Sequence, residues 1–257
     1  MRIGEHTGQY AQGYFVYDSK KSGSTTISHL RFGSDPIKAP YLVEQADFIG
    51  VHQFGLLGRL PVLDIARPGA SVLLASPYRG AEAWKQLPTN VQRTIVAKGL
   101  RVHTVNAAKV ARKAGLGGRI NTVMQACFFA LADVMPTAEA LDLIKDSARK
   151  AYASRGPEIV QANLDAIDKA LAAMTEVVVP DDAEIADAAP QLRNGASAAS
   201  ELATIRRLIA GEGELLPVSA MSPGGTFPTG TAALEKRGLA TQLPVWESDN
   251  CIDCGKC

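Results

Sequence analysis

Ser71-Val-Leu-Leu-Ala75, then Val91-Gln-Arg-Thr-Ile-Val-Ala-Lys98 closed by Gly99, then Arg101-Val-His-Thr-Val105 decide the fold class. The two outer runs are short, apolar and rich in branched residues, as strands buried on both faces are. The middle run is long enough for a helix, and Gly99 supplies the left-handed residue that ends one. Phe48-Ile-Gly-Val-His52 repeats the buried-strand signature, and Ala107 to Ala114 followed by Gly115 repeats the helix signature. Tyr14-Phe-Val-Tyr17 and Ile27-Ser-His-Leu-Arg-Phe32 add two more strand candidates, the second alternating as a strand near an edge does. This alternation predicts a layered α/β/α domain with a mixed sheet.

Beyond Asn121 the pattern turns helical. Gly156-Pro157 separates two helices, and Val160, Leu164, Ile167, Leu171 and Met174 recur at spacings of four and three, predicting one apolar stripe facing the core. Val177-Val-Val179 reads as a short strand. Residues 180–200 are dominated by Ala, Asp, Pro and Ser and read as a linker. The last fifty residues carry many breakers, including Ser222-Pro-Gly-Gly225 and Phe227-Pro-Thr-Gly230, and read as an extended connector with little regular structure.

Composition narrows the function. With 46% hydrophobic and 21% charged residues, the 257-residue chain can bury a large core. A net charge of +1 argues against a dedicated nucleic-acid binder, which needs a basic surface to displace counterions. No apolar run approaches the length needed to span a bilayer, and the start Met1-Arg-Ile-Gly-Glu-His6 has no apolar signal region, so the expected location is the cytoplasm.

Cys251-Ile-Asp-Cys254-Gly-Lys-Cys257 is the sharpest motif. C-x2-C-x2-C places three thiolates on one tight loop that can wrap a corner of a [4Fe–4S] cluster, which needs a fourth thiolate. A zinc site or redox chemistry is the other reading. Cys127, in Gln125-Ala-Cys-Phe-Phe129, is expected to be a small buried hydrophobe.

Two turns are suited to phosphate. Tyr17-Asp-Ser-Lys-Lys-Ser-Gly23 joins Lys20, Lys21, Ser22 and Gly23 after a strand, with a solvated hairpin turn as the plainer reading. Gly115-Leu-Gly-Gly-Arg-Ile-Asn121 opens a helix and sets Arg119 where a helix N-terminus already favours an anion. It has neither the dinucleotide fingerprint nor the P-loop ending. His6, His29, His52 and His103 lack metal-ligand spacing and are expected to be satisfied structural residues. Paired carboxylates and a nucleophile elbow are missing, so no catalytic residue is expected in this chain.

Taken together, Tyr10 to Gly23, His29-Leu-Arg-Phe-Gly33, Gly115 to Thr122 with Met124-Gln125, Gly225-Thr-Phe-Pro-Thr-Gly-Thr231 and Cys251 to Cys257 resemble pyruvate:ferredoxin (flavodoxin) oxidoreductase. The resemblance covers essentially the whole chain but an internal slice of that family's polypeptide, and both ends read as truncations. It implies a gamma-type α/β domain over 1–179, the linker 180–200, a connector 201–250, and over 251–257 the start of a ferredoxin-like domain. It implies an enzyme that decarboxylates pyruvate on thiamine diphosphate held in absent domains, passes electrons through [4Fe–4S] clusters to ferredoxin or flavodoxin, and releases acetyl-CoA. Lys20, Lys21, Ser22, Gly23, Arg119 and Asn121 match motifs of the coenzyme A-facing surface, and Cys251, Cys254 and Cys257 match three cluster ligands. The expected partners are the remaining domains or subunits, within a homo-oligomeric parent, and the isolated chain is expected to be inactive. The alternatives are a stand-alone binding protein with zinc at the terminal cysteines, or a non-functional gene remnant.

Overall fold

Three β-branched or leucine-rich runs assemble the centre of the molecule because each can bury both faces between helices. The computed structural model describes residues 8–17, 25–180, 201–210, 213, 216–234 and 244–256. Strands β3 (Ala46–Val51), β4 (Ala66–Ala75), β5 (Arg101–Val105) and β6 (Met174–Glu176) form one sheet in that order. The first three are parallel and β6 is antiparallel to β5, so the sheet is mixed as expected. Between the pairs Ala46↔Ala66 and Phe48↔Ser71 the register shifts, and Gly69 takes a φ of 75° inside that irregularity.

Period-two alternation sends neighbours on one strand into opposite cores. Val72 and Leu74 pack with Val102 against α1 (Gly80–Gln86) and α2 (Thr89–Lys98), through Trp84, Val91 and Ile95. Leu73 and Val105 enter the other core. That core is built from α3 (Ala107–Lys113), α4 (Asn121–Leu131), α5 (Thr137–Tyr152) and α6 (Pro157–Ala173). The layers are therefore helix, sheet, helix.

Local chemistry sets the ends of these helices. Gly99 closes α2 at φ 57°, ψ 42°, and its amide reaches back to the Ile95 and Val96 carbonyls. The Asn106 side chain caps α3 by accepting from the Lys109 amide at 3.0 Å. Gly156, at φ 96°, turns the chain into Pro157 at the start of α6.

Several expectations are displaced. β1 (Tyr10–Val16) and β2 (Ile27–Gly33) pair only with each other, as an antiparallel hairpin outside the main sheet. Phe32 links that hairpin to the body, its ring 6.3 Å from Phe128 on α4, which also meets Phe48 edge-on at 4.9 Å. The expected strand at Val177–Val179 begins three residues earlier, because Met174 leaves α6 directly in an extended conformation. Val177 still donates its amide to the Val102 carbonyl at 2.8 Å, but Val178 is exposed.

The buried face of α6 is Asn163, Ala166, Ile167 and Ala170, with Val160, Leu164 and Leu171 only half-buried. Small residues take the centre because α4 lies close: the Cys127 thiol donates to the Ala170 carbonyl at 3.7 Å. Cys127 is fully buried, as expected. After β6 the described chain is mostly irregular, with short 3-10 turns at Val218–Ala220, Thr231–Leu234 and Ser248–Asn250. One element departs from that expectation: α7 (Glu201–Ala210) is a helix that buries Ile205, while Leu202 and Ile209 at the neighbouring three- and four-residue spacings stay exposed. Among the described residues no helix is long and apolar enough to cross a membrane.

Candidate functional site

The turn between α3 and α4 is where the sequence, the backbone and an open cavity coincide. Leu116 anchors it: the side chain is buried and its amide returns to the Ala111 carbonyl at 2.8 Å. Gly115 and Gly117 hold φ of 82° and 62°, a region where a side chain would be strained, so the chain can reverse tightly around that anchor. Arg119 and Asn121 emerge exposed at the start of α4.

They line a cavity of about 270 Å³ together with Gly118, Thr122, Tyr152 at the end of α5 and Asn163 on α6. Ile159, in the first turn of α6, also faces it. The opening turns of two helices thus meet at one cavity. The first amides of a helix have no acceptor within it, and they carry the positive end of its dipole. Neither helix has a basic residue in that turn; α6 carries Glu158 there and α4 carries no acid. Among the described residues Arg119 has no carboxylate partner, so its guanidinium is available to an anion.

The floor of the cavity is polar and closed. Asn163 is 2% exposed, accepts from the Thr122 hydroxyl at 2.8 Å and donates to the Ile159 carbonyl at 2.8 Å. A buried amide with both ends satisfied fixes the relative position of α4 and α6. Asn163 and Tyr152 were not among the residues singled out from sequence. The signal for Asn163 is available, since a polar residue interrupts the otherwise apolar buried face of α6.

Of the expected site residues, Arg119 and Asn121 come together here. Lys20, Lys21, Ser22 and Gly23 lie outside the described residues. No described residue of the β1–β2 hairpin lines the cavity.

The expected cluster ligands sit elsewhere. Cys251 and Cys254 are exposed, and Cys257 lies outside the described residues. Asp253 and Gly255 both have left-handed backbone, at φ 53° and 64°, and the Asp253 amide donates to the Cys251 sulfur at 3.3 Å. The Trp246 side chain and that amide hold the Cys251 thiol below its ordinary pKa. A turn that aims one amide at the solvent-facing Cys251 sulfur makes the kind of hydrogen bond that thiolate-bound clusters use. Among the described residues no group of three or more His, Cys, Asp or Glu is gathered around one point.

The histidines divide. His29 accepts the Val43 amide at its Nδ1, 3.2 Å away, and is satisfied as expected. His103 departs from that expectation, because its Nδ1 is buried with no partner among the described residues. Desolvation lowers its pKa, against the opposing pull of Glu176, which faces it across the β5–β6 ladder. His6 lies outside the described residues.

Comparison with known proteins identifies relatives of the chain as a whole. A family profile described as pyruvate ferredoxin/flavodoxin oxidoreductase matches residues 1–173, and a second, described as a domain of unknown function, matches residues 203–240. A pyruvate-flavodoxin oxidoreductase of Nostoc is 48% identical over 99% of the chain, which spans 22% of that relative's length. A pyruvate:ferredoxin oxidoreductase of Moorella thermoacetica is 45% identical, again over 99% of the chain and 22% of the relative. Among solved structures, a pyruvate oxidoreductase subunit from Thermotoga maritima matches with a TM-score of 0.50 and 18% identity, over 68% of this chain and 85% of that subunit. At that identity the likeness shows the fold alone.

Proposed function

The chain belongs to the pyruvate ferredoxin/flavodoxin oxidoreductase family, and from that premise we propose that it is the coenzyme A-binding segment of an enzyme oxidising pyruvate to acetyl-CoA and CO2. In that reaction pyruvate and CoA give acetyl-CoA, CO2 and a proton, and the two electrons leave singly to two acceptor equivalents. The domain of 1–179 carries the site, 180–200 links it to the connector 201–250, and 251–257 begins a ferredoxin-like domain. The remaining domains or subunits hold thiamine diphosphate, which supplies the carbanion chemistry of decarboxylation when bound. Ferredoxin or flavodoxin takes the electrons, and the parent is a homo-oligomer in the cytoplasm.

The observation that carries the reading is the Arg119 guanidinium at the mouth of a cavity onto which α4 and α6 both open their first turns. Coenzyme A brings a pyrophosphate and a 3′-phosphate, and a planar guanidinium can engage two phosphate oxygens at once. Asn121 adds a neutral donor beside it, and the Thr122–Asn163 bond holds that donor pair in place before ligand arrives. Lys20, Lys21, Ser22 and Gly23 are assigned to the same ligand on the strength of their motif. Cys251, Cys254 and Cys257 would supply three of the four thiolates of a [4Fe–4S] cluster, the fourth coming from outside these three; the cluster carries single electrons when bound.

Calorimetric titration of the chain with CoA, dephospho-CoA and adenosine tests this. Binding should weaken in that order as phosphates are removed, and should fall when Lys20, Lys21 and Arg119 are all replaced by Ala. Unchanged affinity in the triple variant would remove the assignment.

A further inference from the structure

The cavity under Arg119 ties up some of its polar groups and leaves others open. Thr122 bonds to Asn163, and Asn163 also donates to the Ile159 carbonyl, so the floor is satisfied before any ligand arrives. The side chains of Arg119, Asn121 and Tyr152, which also line the cavity, have no hydrogen-bond or ion-pair partner among the described residues. Arg119 and Asn121 flank Ile120 at the start of α4, and Tyr152 is the last residue of α5, half-buried and packed against the core formed by α3 to α6. Directly after it the turn Ala153–Arg155 and Gly156, at φ 96°, lead the chain into α6, which brings Ile159 to the same cavity. One cavity therefore gathers a guanidinium, a carboxamide, an aromatic ring and an aliphatic side chain.

Its size limits what it can take. Sites that enclose a whole small molecule run from about 300 to 1,000 Å³, and at about 270 Å³ this one has room for one end of CoA. The two ends differ in chemistry. The pantetheine arm is an extended chain with two neutral amides and a thiol, so it brings no charge to Arg119 and no ring to Tyr152. The adenosine end carries a 3′-phosphate on the same ribose as its purine, which places an anion and a flat π-face within one nucleotide. Aromatic side chains hold bases by stacking on that face.

We propose that Tyr152 is the platform on which the adenine of CoA stacks, with Ile159 as an apolar wall of the same pocket and Arg119 on the 3′-phosphate, so that the adenosine end enters the cavity and the pantetheine arm points away. Tyr152 is then a specificity-determining residue. Arg119 attracts any phosphate ester, and the ring separates a nucleotide from the rest. This inference rests on the reading of the cavity as the coenzyme A site.

The test is equilibrium binding to the purified oxidoreductase that carries this sequence, with adenosine 3′,5′-bisphosphate and 4′-phosphopantetheine as separate probes of the two ends. Each is titrated into wild type, Tyr152→Leu and Tyr152→Phe. Tyr152→Leu should weaken adenosine 3′,5′-bisphosphate by at least about fivefold, the lower end of what a base–aromatic stack contributes. Tyr152→Phe keeps the ring and should keep that affinity, and 4′-phosphopantetheine should respond to neither change. Unchanged binding of the bisphosphate to Tyr152→Leu would overturn the proposal, as would an equal loss for both probes, the mark of a residue that only supports the fold. Should Tyr152→Leu fail to fold, wild type alone decides: saturating adenosine 3′,5′-bisphosphate should slow nitration of Tyr152 by tetranitromethane where 4′-phosphopantetheine does not, and no protection overturns the proposal. Arg119→Ala keeps the two readings apart. CoA affinity that falls there but not in Tyr152→Leu removes the stacking alone, whereas CoA affinity unmoved by Arg119→Ala removes the cavity as the coenzyme A site.

Discussion

The Thr122 hydroxyl donates to Asn163 Oδ1 at 2.8 Å, tying the first turn of α4 to the buried face of α6 across 41 positions of sequence. The bond closes the floor of the cavity on which Arg119 opens. Replacing Asn163 by Leu removes both of its hydrogen bonds and strands the Thr122 hydroxyl in a half-buried position. A loss of about 1–3 kcal/mol is expected, read as a lower urea midpoint with unchanged slope. The paired change Thr122→Val with Asn163→Leu should recover part of that loss, because no polar group is then left unmatched.

Arg119→Ala should raise the dissociation constant for CoA by roughly five- to tenfold, the value of one exposed charge-assisted contact. Arg119→Lys should recover less than half of it, since an ammonium is a point charge without the two-pronged geometry. The difference between wild type and Arg119→Ala should narrow as salt rises from 50 to 500 mM in the titration buffer.

Cys127 has a pH signature. Its burial pushes the thiol up to about 12, while the same group in the unfolded chain ionises near its ordinary value. The unfolded state therefore loses this proton first. The contribution is fully present below about pH 9 and is lost as pH rises towards 12, at up to about 1.4 kcal/mol per pH unit. Denaturation midpoints across pH 8 to 10.5 should fall less steeply in Cys127→Ala than in wild type. At pH 8 iodoacetamide should label Cys251 and Cys254 and spare Cys127 until the chain unfolds.

Lys98 ends α2 with its ammonium donating to three carbonyls, those of Leu63 at 3.2 Å, Asp64 at 2.6 Å and Ala66 at 2.9 Å. It closes the loop that leads into β4. Lys98→Met keeps the stem and removes the donors, and should cost about 1–3 kcal/mol by chemical denaturation.

Anaerobic purification of the parent enzyme should return iron and acid-labile sulfide in equal amounts. Cys254→Ser should lower both by the content of one cluster out of those present, without changing CoA affinity. Zinc in place of iron and sulfide in the wild type would instead support the zinc reading of these cysteines.

Much of the fold was legible locally. Runs such as Ser71 to Ala75 and Arg101 to Val105 have one structural solution, because they can only be buried on both faces, and Gly99, Gly115 and Gly156 mark turns through their backbone freedom. The strand at Val177–Val179 was misplaced because β propensity is a weak preference, and the ladder with β5 begins wherever α6 releases the chain. α7 was missed because its three-residue and four-residue spacing is short and lies among breakers.

By itself, the sequence determined the layered α/β class, the glycine-rich turn that carries Arg119 and Asn121, the thiolate spacing, and the resemblance that the family match bears out. Each is written in residues near one another along the chain. Only the tertiary structure decided that Asn163 and Tyr152 complete the Arg119 cavity, and that Ala166 and Ala170 occupy the centre of the buried α6 face. It alone set the β1–β2 hairpin apart from the main sheet. These depend on which elements approach and how closely, and helix approach is governed by packing between distant segments that no local pattern records.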